Sequence, residues 1–285
     1  MNSSPEFVIE ETPYVLHRRF DRMGRLVGDK NMNRLFQSHV MIMGLGGVGS
    51  WAAESLARSG VGRLTLVDFD EICITNVNRQ LHALQGMIGR KKAEAMADRL
   101  RKINPQAKIE AIPQFYNAES SDSLLGLKPD IVIDAIDNLT AKAHLLATCR
   151  QQGIRVISST GASARMNPLE IKLVDLAETH TDPLAHQLRK ILRQKYDFPE
   201  SGPFGVPAVF STEKPMETEE LTYDQGEGFK CVCPQGQNNM HSCLHRNVIY
   251  GNASFVTGAF GLALASWTVR NLLDPKFLTQ AEGAE

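Results

Sequence analysis

Apolar residues along this chain fall in short continuous runs, separated by stretches where their spacing lengthens to that of a helix. VMIMG (40–44), RLTLVD (63–68), AKIEAI (107–112), DIVIDAI (130–136) and IRVISS (154–159) read as strands covered on both faces. In RKKAEAMADRLRKI (90–103), Ala93, Met96, Ala97, Leu100 and Ile103 share one helical face, and Asn104-Pro105 stops the helix. An Ala-rich helical pattern also starts near Val48. This alternation predicts an α/β fold: a Rossmann-like, mostly parallel sheet flanked by helices, with a C-terminal extension.

After about Pro168 the rhythm loosens. EIKLVDL (170–176) reads as one more strand, and Pro183 suits the first position of a helix capped by Thr181 or Asp182. Leu184, Leu188, Ile191 and Leu192 form its apolar stripe. Arg189, Lys190, Arg193 and Lys195 lie mostly off that stripe, either as a solvated face or as a phosphate-binding surface. A short strand is expected at Ala208–Ser211, and Lys214 to Asn247 reads mostly as loop.

From Asn247 to Val269 no residue is charged, a length that could cross a hydrocarbon core of ~30 Å. Asn247, Asn252, Ser254, Thr257, Ser266 and Thr268 interrupt it, however, and Gly251, Gly258 and Gly261 let another helix approach. A buried or dimer-facing helix is expected rather than a membrane span.

Composition changes this picture little. The 285 residues are 42% hydrophobic, and 31 Lys+Arg against 32 Asp+Glu leave a formal net charge of -1. No global basicity draws the chain to nucleic acid, so an RNA contact requires a local patch, and DNA is not among the expected partners. MNSSPEFVIEETPYVLHRRF lacks the pattern of a secretory signal, so a cytoplasmic, reducing location is expected. The five cysteines are then thiols or metal ligands.

The chemistry starts at the end of the first strand. Gly44, Gly46 and Gly49, with Gly47 between them, have the spacing of a nucleotide-binding turn, and Asp68 ends the next strand where an acid can take ribose hydroxyls. That spacing alone is weak and also fits a nicotinamide-dependent oxidoreductase. Cations decide between the two, because a triphosphate needs more positive charge than main-chain amides supply. The polar stretch DFDEICITNVNRQLH carries Asp70, Asn76, Asn78, Arg79 and Gln80, and Lys92 opens the following helix. Arg79 and Lys92 suit β- and γ-phosphates. DIVIDAIDN adds Asp134, Asp137 and Asn138 where a strand gives way to a helix. Asp137 reads as a Mg²⁺ ligand or a helix cap; Asp134 reads as structural.

GLGGVGS, DFDEICITNVNRQ, GRKKAEAM and DAIDN together resemble the ubiquitin-activating-enzyme-like superfamily, whose bacterial members adenylate carboxylates with ATP. The resemblance covers roughly Arg18 to Gly161. It implies phosphates along Gly46, Gly47 and Gly49, ribose on Asp68, phosphate contacts from Asn78, Arg79 and Lys92, and Mg²⁺ at Asp137. DPLAHQLRKILRQKYDF, GVPAVFSTEKP and ASFVTGAFG resemble, more narrowly, the tRNA threonylcarbamoyladenosine dehydratases. That likeness implies ATP-driven cyclisation of the modification at adenosine 37 through an acyl-adenylate. It also implies one adenylating domain over 1–285, with a nucleotide-binding half to about 168 and a substrate and dimer half beyond.

Members of this group are dimers, and superfamily relatives send an N-terminal arginine into the partner's site. In HRRFDRMGR, Arg22 is favoured over Arg25 and Arg19, against the alternative of plain exposed arginines. A sulfur-relay protein is a further conceivable partner. Cys231, Cys233, His241 and Cys243, with His245 in reserve, could hold Zn²⁺, handle sulfur or be ordinary loop residues, since their spacing departs from paired C-x₂-C. Cys73 and Cys149 sit in apolar patterns and should be buried. Competing functions are adenylation of a ubiquitin-like sulfur carrier, nicotinamide-dependent redox chemistry and a non-catalytic nucleotide sensor.

Overall fold

A computed structural model describes residues 15–219, 221 and 250–275. Among these, β1 (His39–Met43), β2 (Arg63–Val67), β3 (Lys108–Ile112), β4 (Ile131–Asp134), β5 (Arg155–Ser159), β6 (Ile171–Asp175) and β7 (Pro207–Ser211) form one sheet of order β3-β2-β1-β4-β5-β7-β6. Every neighbouring pair is parallel except β6 with β7. Strand β1 is buried at all its positions because both faces of the sheet are covered. Val40 and Ile42 pack into one core, with Leu56 and Phe260; Met41 and Met43 pack into the other, with Leu145 and Leu188.

The helices are α1 (Asp21–Gln37), α2 (Gly49–Arg58), α3 (Lys92–Ile103), α4 (Ala118–Leu125), α5 (Leu139–Gln152), α6 (Pro183–Tyr196) and α7 (Ser254–Leu272). α1, α2, α3 and α7 contribute to the first core, α4, α5 and α6 to the second. Several strands are shorter than their apolar runs. Gly44 leaves the ladder at φ +90°, and Ala135 and Ile136 form the turn after β4. Helix α3 starts at Lys92, as expected, because Lys91 is extended and bridges to Glu71. In α6, Asp182 is the cap and Pro183 the first residue; Ala185, Leu188 and Leu192 are buried, and Leu184 is only half-buried.

The uncharged stretch near the C-terminus becomes α7 only from Ser254. Its buried face, including Val256, Phe260 and Leu264, lies against α2. Each such side chain contributes about 1.5–3 kcal/mol of burial. The two helices touch closely: a Cβ at Gly261 would stand 2.4 Å from the Val48 carbonyl oxygen. Gly251, by contrast, has open space around it and serves no packing role. No described helix is long and apolar enough to cross a membrane.

Candidate active site

Strand order reverses between β1 and β4, and in open α/β sheets ligands bind at such a point beyond the carboxyl ends of the strands. The glycine turn fills this place. A Cβ at Gly49 would stand 1.9 Å from the Gly44 carbonyl oxygen, so glycine is required for the turn to meet the helix. α2 begins here without a side-chain cap, which leaves its N-terminal amides and positive dipole end for an anion.

Two expected residues lie over this turn. The Arg79 stem passes Gly47, whose Cβ would sit 3.1 Å from Arg79 Cγ, and Gln80 Nε2 lies 3.9 Å from the equivalent point at Gly46. Arg79 Nη1 donates to the Thr75 carbonyl at 3.0 Å and to Asn78 Oδ1 at 2.9 Å, while Trp51 Nε1 donates to the Arg79 carbonyl at 3.1 Å. Asn78 in turn donates from Nδ2 to the Asn252 carbonyl at 2.9 Å. Asn76 is buried and builds the turn: its Oδ1 accepts from the Cys73 amide at 3.0 Å.

Lys92 approaches from the other side. Its Nζ donates to Asp70 Oδ2 at 2.7 Å, and its amide donates to the Asp70 carbonyl at 2.9 Å. Burial works to lower the Lys92 pKa, but Asp68, Asp70 and, further off, Asp137 outweigh it and hold the ammonium above its ordinary value. Asp68 is buried, which pushes its carboxyl up, with Lys92 opposing and Asp70 reinforcing. Its Oδ2 accepts from the Leu45 amide at 2.6 Å and its Oδ1 from the Asp70 amide at 2.9 Å. Expected at the ribose, Asp68 thus also pins the glycine turn to the end of β2.

Asp137 is exposed, and the cap of α5 is its neighbour Asn138, whose Oδ1 accepts from the Ala141 amide at 3.0 Å. This corrects the helix-cap alternative for Asp137 and leaves its carboxylate facing outward. Among the described residues no group of three or more His, Cys, Asp or Glu is arranged to hold a metal. A single carboxylate still fits Mg²⁺ carried by phosphate oxygens, the usual way that ion is held. Asp134 is structural as expected: fully buried, 2.7 Å from Lys142 Nζ, and accepting from Ser158 Oγ at 2.7 Å.

Other expectations lie outside this crevice. Arg22 is 93% exposed in the first turn of α1 and 4.0 Å from Asp21, and Arg25 pairs with Asp21 at 3.0 Å. No described hydrogen bond or ion pair joins Arg19, Arg22 or Arg25 to the glycine turn of the same chain. Cys231, Cys233, His241, Cys243 and His245 fall outside the described residues. Cys73 and Cys149 are buried, and burial, then the Asp134 charge, pushes the Cys149 thiol up to about 12.

Three contributors escape the sequence reading. Lys142 had a detectable signal, a charge on the same face as Leu145, Leu146 and Cys149. Arg165 had none, because its acidic partner lies well along the chain: besides the nearby carbonyls of Gly161 and Ser163, at 2.6 and 2.9 Å, it donates to Asp182 Oδ2 at 3.1 Å. It thereby ties the loop after β5 to the start of α6. His82 is buried with neither ring nitrogen partnered, and burial, then Lys92 and Arg99, lowers its pKa to about 3.

Comparison with known proteins agrees with this geometry. Residues 20–282 match the ThiF family. A tRNA threonylcarbamoyladenosine dehydratase of Haemophilus influenzae is 39% identical over 261 residues, 91% of this chain and 95% of that protein. Crystal structures of the Escherichia coli tRNA N6-threonylcarbamoyladenosine dehydratase superpose well. The complex with ATP gives a TM-score of 0.77 at 34% identity, covering 95% of this chain and 100% of that one. The complex with AMP gives 0.78 at 34% identity, covering 95% and 99%. A reversed strand order, a glycine turn under Arg79 and a buried Lys92 at its side therefore accompany similarity along nearly the whole chain, which belongs to the ThiF family.

Proposed function

We propose that this chain uses ATP to dehydrate N6-threonylcarbamoyladenosine at position 37 of tRNA, closing the modification into a ring through an acyl-adenylate. The observation that carries the reading is the Arg79 stem lying against Gly47 at the uncapped start of α2, with Lys92 bonded to Asp70 and under the charge of the same Asp68 that pins the glycine turn. A carboxylate oxygen of the modification attacks the α-phosphorus, and the bond to the departing pyrophosphate breaks. A nitrogen of the same modification then attacks the activated carbonyl, loses its proton and expels AMP. The net change in the nucleoside is loss of water.

Each residue has a share in these steps. The α2 amides and Gly46, Gly47 and Gly49 admit phosphate oxygens to the main chain. Arg79 and Lys92 offset the charge growing on pyrophosphate, an interaction stronger in the transition state than before it. Lys92 enters with Asp70 as its partner, so phosphate oxygens exchange one anionic neighbour for another. Asp137, with Asn138 holding the helix behind it, would take Mg²⁺, which supplies further positive charge to the phosphates. A second subunit completes the site with Arg22, whose exposure in a single chain leaves it available to a partner.

A carrier-protein substrate has less support, since the dehydratase relatives match through the C-terminal half as well. Mass spectrometry of the modified nucleoside after incubation with tRNA, ATP and Mg²⁺ tests the reading. Loss of one water with release of AMP and pyrophosphate is expected. An unchanged nucleoside and no pyrophosphate would remove it.

A further inference from the structure

Helix α6 contains His186, Arg189, Lys190, Arg193 and Lys195 and no acidic residue between Pro183 and Tyr196. His186, Arg189, Lys190 and Arg193, with Gln194 and Glu200, line a recess of about 380 Å³. The arginines in it are held in place rather than trailing in water. Arg189 Nη1 donates to the Thr179 hydroxyl, and Arg193 Nε donates to the Pro199 carbonyl at 3.2 Å. The Arg193 guanidinium also lies 5.1 Å from the centre of the Phe204 ring. Phe204 meets Phe198 edge to face at 5.0 Å, and Arg150 of α5 covers Phe198 at 4.4 Å.

All of these partners are neutral: a hydroxyl, a carbonyl and two rings. Other arginines of the chain have acidic partners, as Arg99 and Arg58 have in Glu54 and Arg63 has in Glu110. Around the recess the acids are otherwise committed or set apart. Asp182 is taken by Arg165 and by the Gly161 and Ala185 amides, Asp197 is exposed beyond the helix end, and Glu200 lines the recess as its one acid, with an exposed side chain. None forms an ion pair with Arg189, Lys190 or Arg193 among the described residues. Burial first, and then the charge of Arg193, hold Arg189 below its ordinary value, with Asp182 opposing from a distance too great for an ion pair.

Like charges fixed side by side by neutral groups gain from a shared anion, and pre-set guanidiniums lose little freedom in binding it. We propose that this recess receives consecutive phosphates of the tRNA backbone, a site that rests on the tRNA reading above. The position agrees: the Asp182 cap of α6 accepts from the amide of Gly161 in the loop after β5, beyond the carboxyl end of that strand, and Arg193 stands roughly 16 Å along the helix by helical rise. An RNA lying along α6 can fill the recess while one nucleotide reaches the crevice.

Equilibrium binding of unmodified tRNA to the full chain, across a salt series, tests the site without any catalytic step. The pair Lys190→Gln with Arg193→Gln should raise Kd roughly tenfold near 0.1 M salt and flatten the slope of log K against log salt by about 1.5, the share of two phosphates. Lys190→Glu alone changes an exposed side chain, keeps the melting temperature and should weaken binding roughly threefold. Variants that bind tRNA with the wild-type slope overturn the site and leave the catalytic reading standing. The same holds if they alter the oligomeric state instead of RNA affinity. A wild-type chain that binds no tRNA removes the tRNA reading and this site together.

Discussion

Lys92 and Lys142 each place Nζ 2.7 Å from an aspartate oxygen, Asp70 and Asp134 respectively, and both pairs stand near the carboxyl ends of central strands. Their surroundings differ. Lys142 and Asp134 are 0% exposed, and Ser158 Oγ and the Ile136 amide and carbonyl take up their remaining hydrogen bonds. Asp70 is 36% exposed and Lys92 has three carboxylates within electrostatic reach. A saturated, dry pair has nothing left to give a ligand and serves as scaffold. A pair at the edge of water, with more acid than it needs, can exchange a carboxylate for a phosphate. Identical geometry therefore says little; access and unspent hydrogen-bonding capacity separate the two.

The largest test breaks the scaffold pair. Lys142→Met leaves Asp134 buried without a counter-charge and should cost about 3–5 kcal/mol of stability, read as a lower melting temperature. Lys142→Met combined with Asp134→Leu should recover much of the loss; no recovery would mean that packing, not charge, dominates there. Lys92→Met is the matching change at the edge. It should lower the rate of pyrophosphate release by roughly 10²–10³-fold, with a far smaller change in melting temperature. If Lys92→Met melts as early as Lys142→Met, the division between reagent and scaffold fails.

His82 sharpens the contrast because its ring lies close enough to feel the Lys92 charge. Held far below its ordinary 6.5, at about 3, the folded ring stays neutral where the unfolded ring takes a proton. Its contribution to stability is complete above about pH 6.5 and drains away as pH falls toward 3. At pH 5.5 the loss is about 1.4 kcal/mol, and His82→Phe should remove that part of the acid slope in denaturant titrations. The exposed pair Arg25–Asp21 completes the series. Arg25→Ala should cost about 0.5 kcal/mol or less, so a large loss of activity without loss of stability would identify Arg25, not Arg22, as the residue sent to a partner subunit.

The order of the elements was legible because apolar runs and helical periods are local. All seven strands were anticipated, and Pro183 and Asp182 announced their helix from neighbouring residues alone. The crevice was legible in part for the same reason. Gly44, Gly49 and Lys92 stand at or beside the ends of β1, α2 and α3, and Arg79 lies in the polar stretch between β2 and α3. The cap of α5 is Asn138 and not its neighbour Asp137, since only φ, ψ and the direction of one side chain tell which of two adjacent polar residues caps a helix. Arg165, Asn252 and Ser163 were invisible: Asn252 meets Ser163 at 2.9 Å from 89 residues away, and no local pattern marks such a contact.

By itself, then, the chain determined the alternation of strand and helix, the glycine turn, and which residue types would gather near phosphates, because these depend on short-range sterics and periodicity. Tertiary structure decided which charges are scaffold and which are reagents. It alone set β7 between β5 and β6, brought α7 onto α2, and buried Lys142 while leaving the Asp70 partner of Lys92 within reach of water. Burial and hydrogen-bond saturation depend on partners far along the chain, and those come into contact only when the whole sheet has closed.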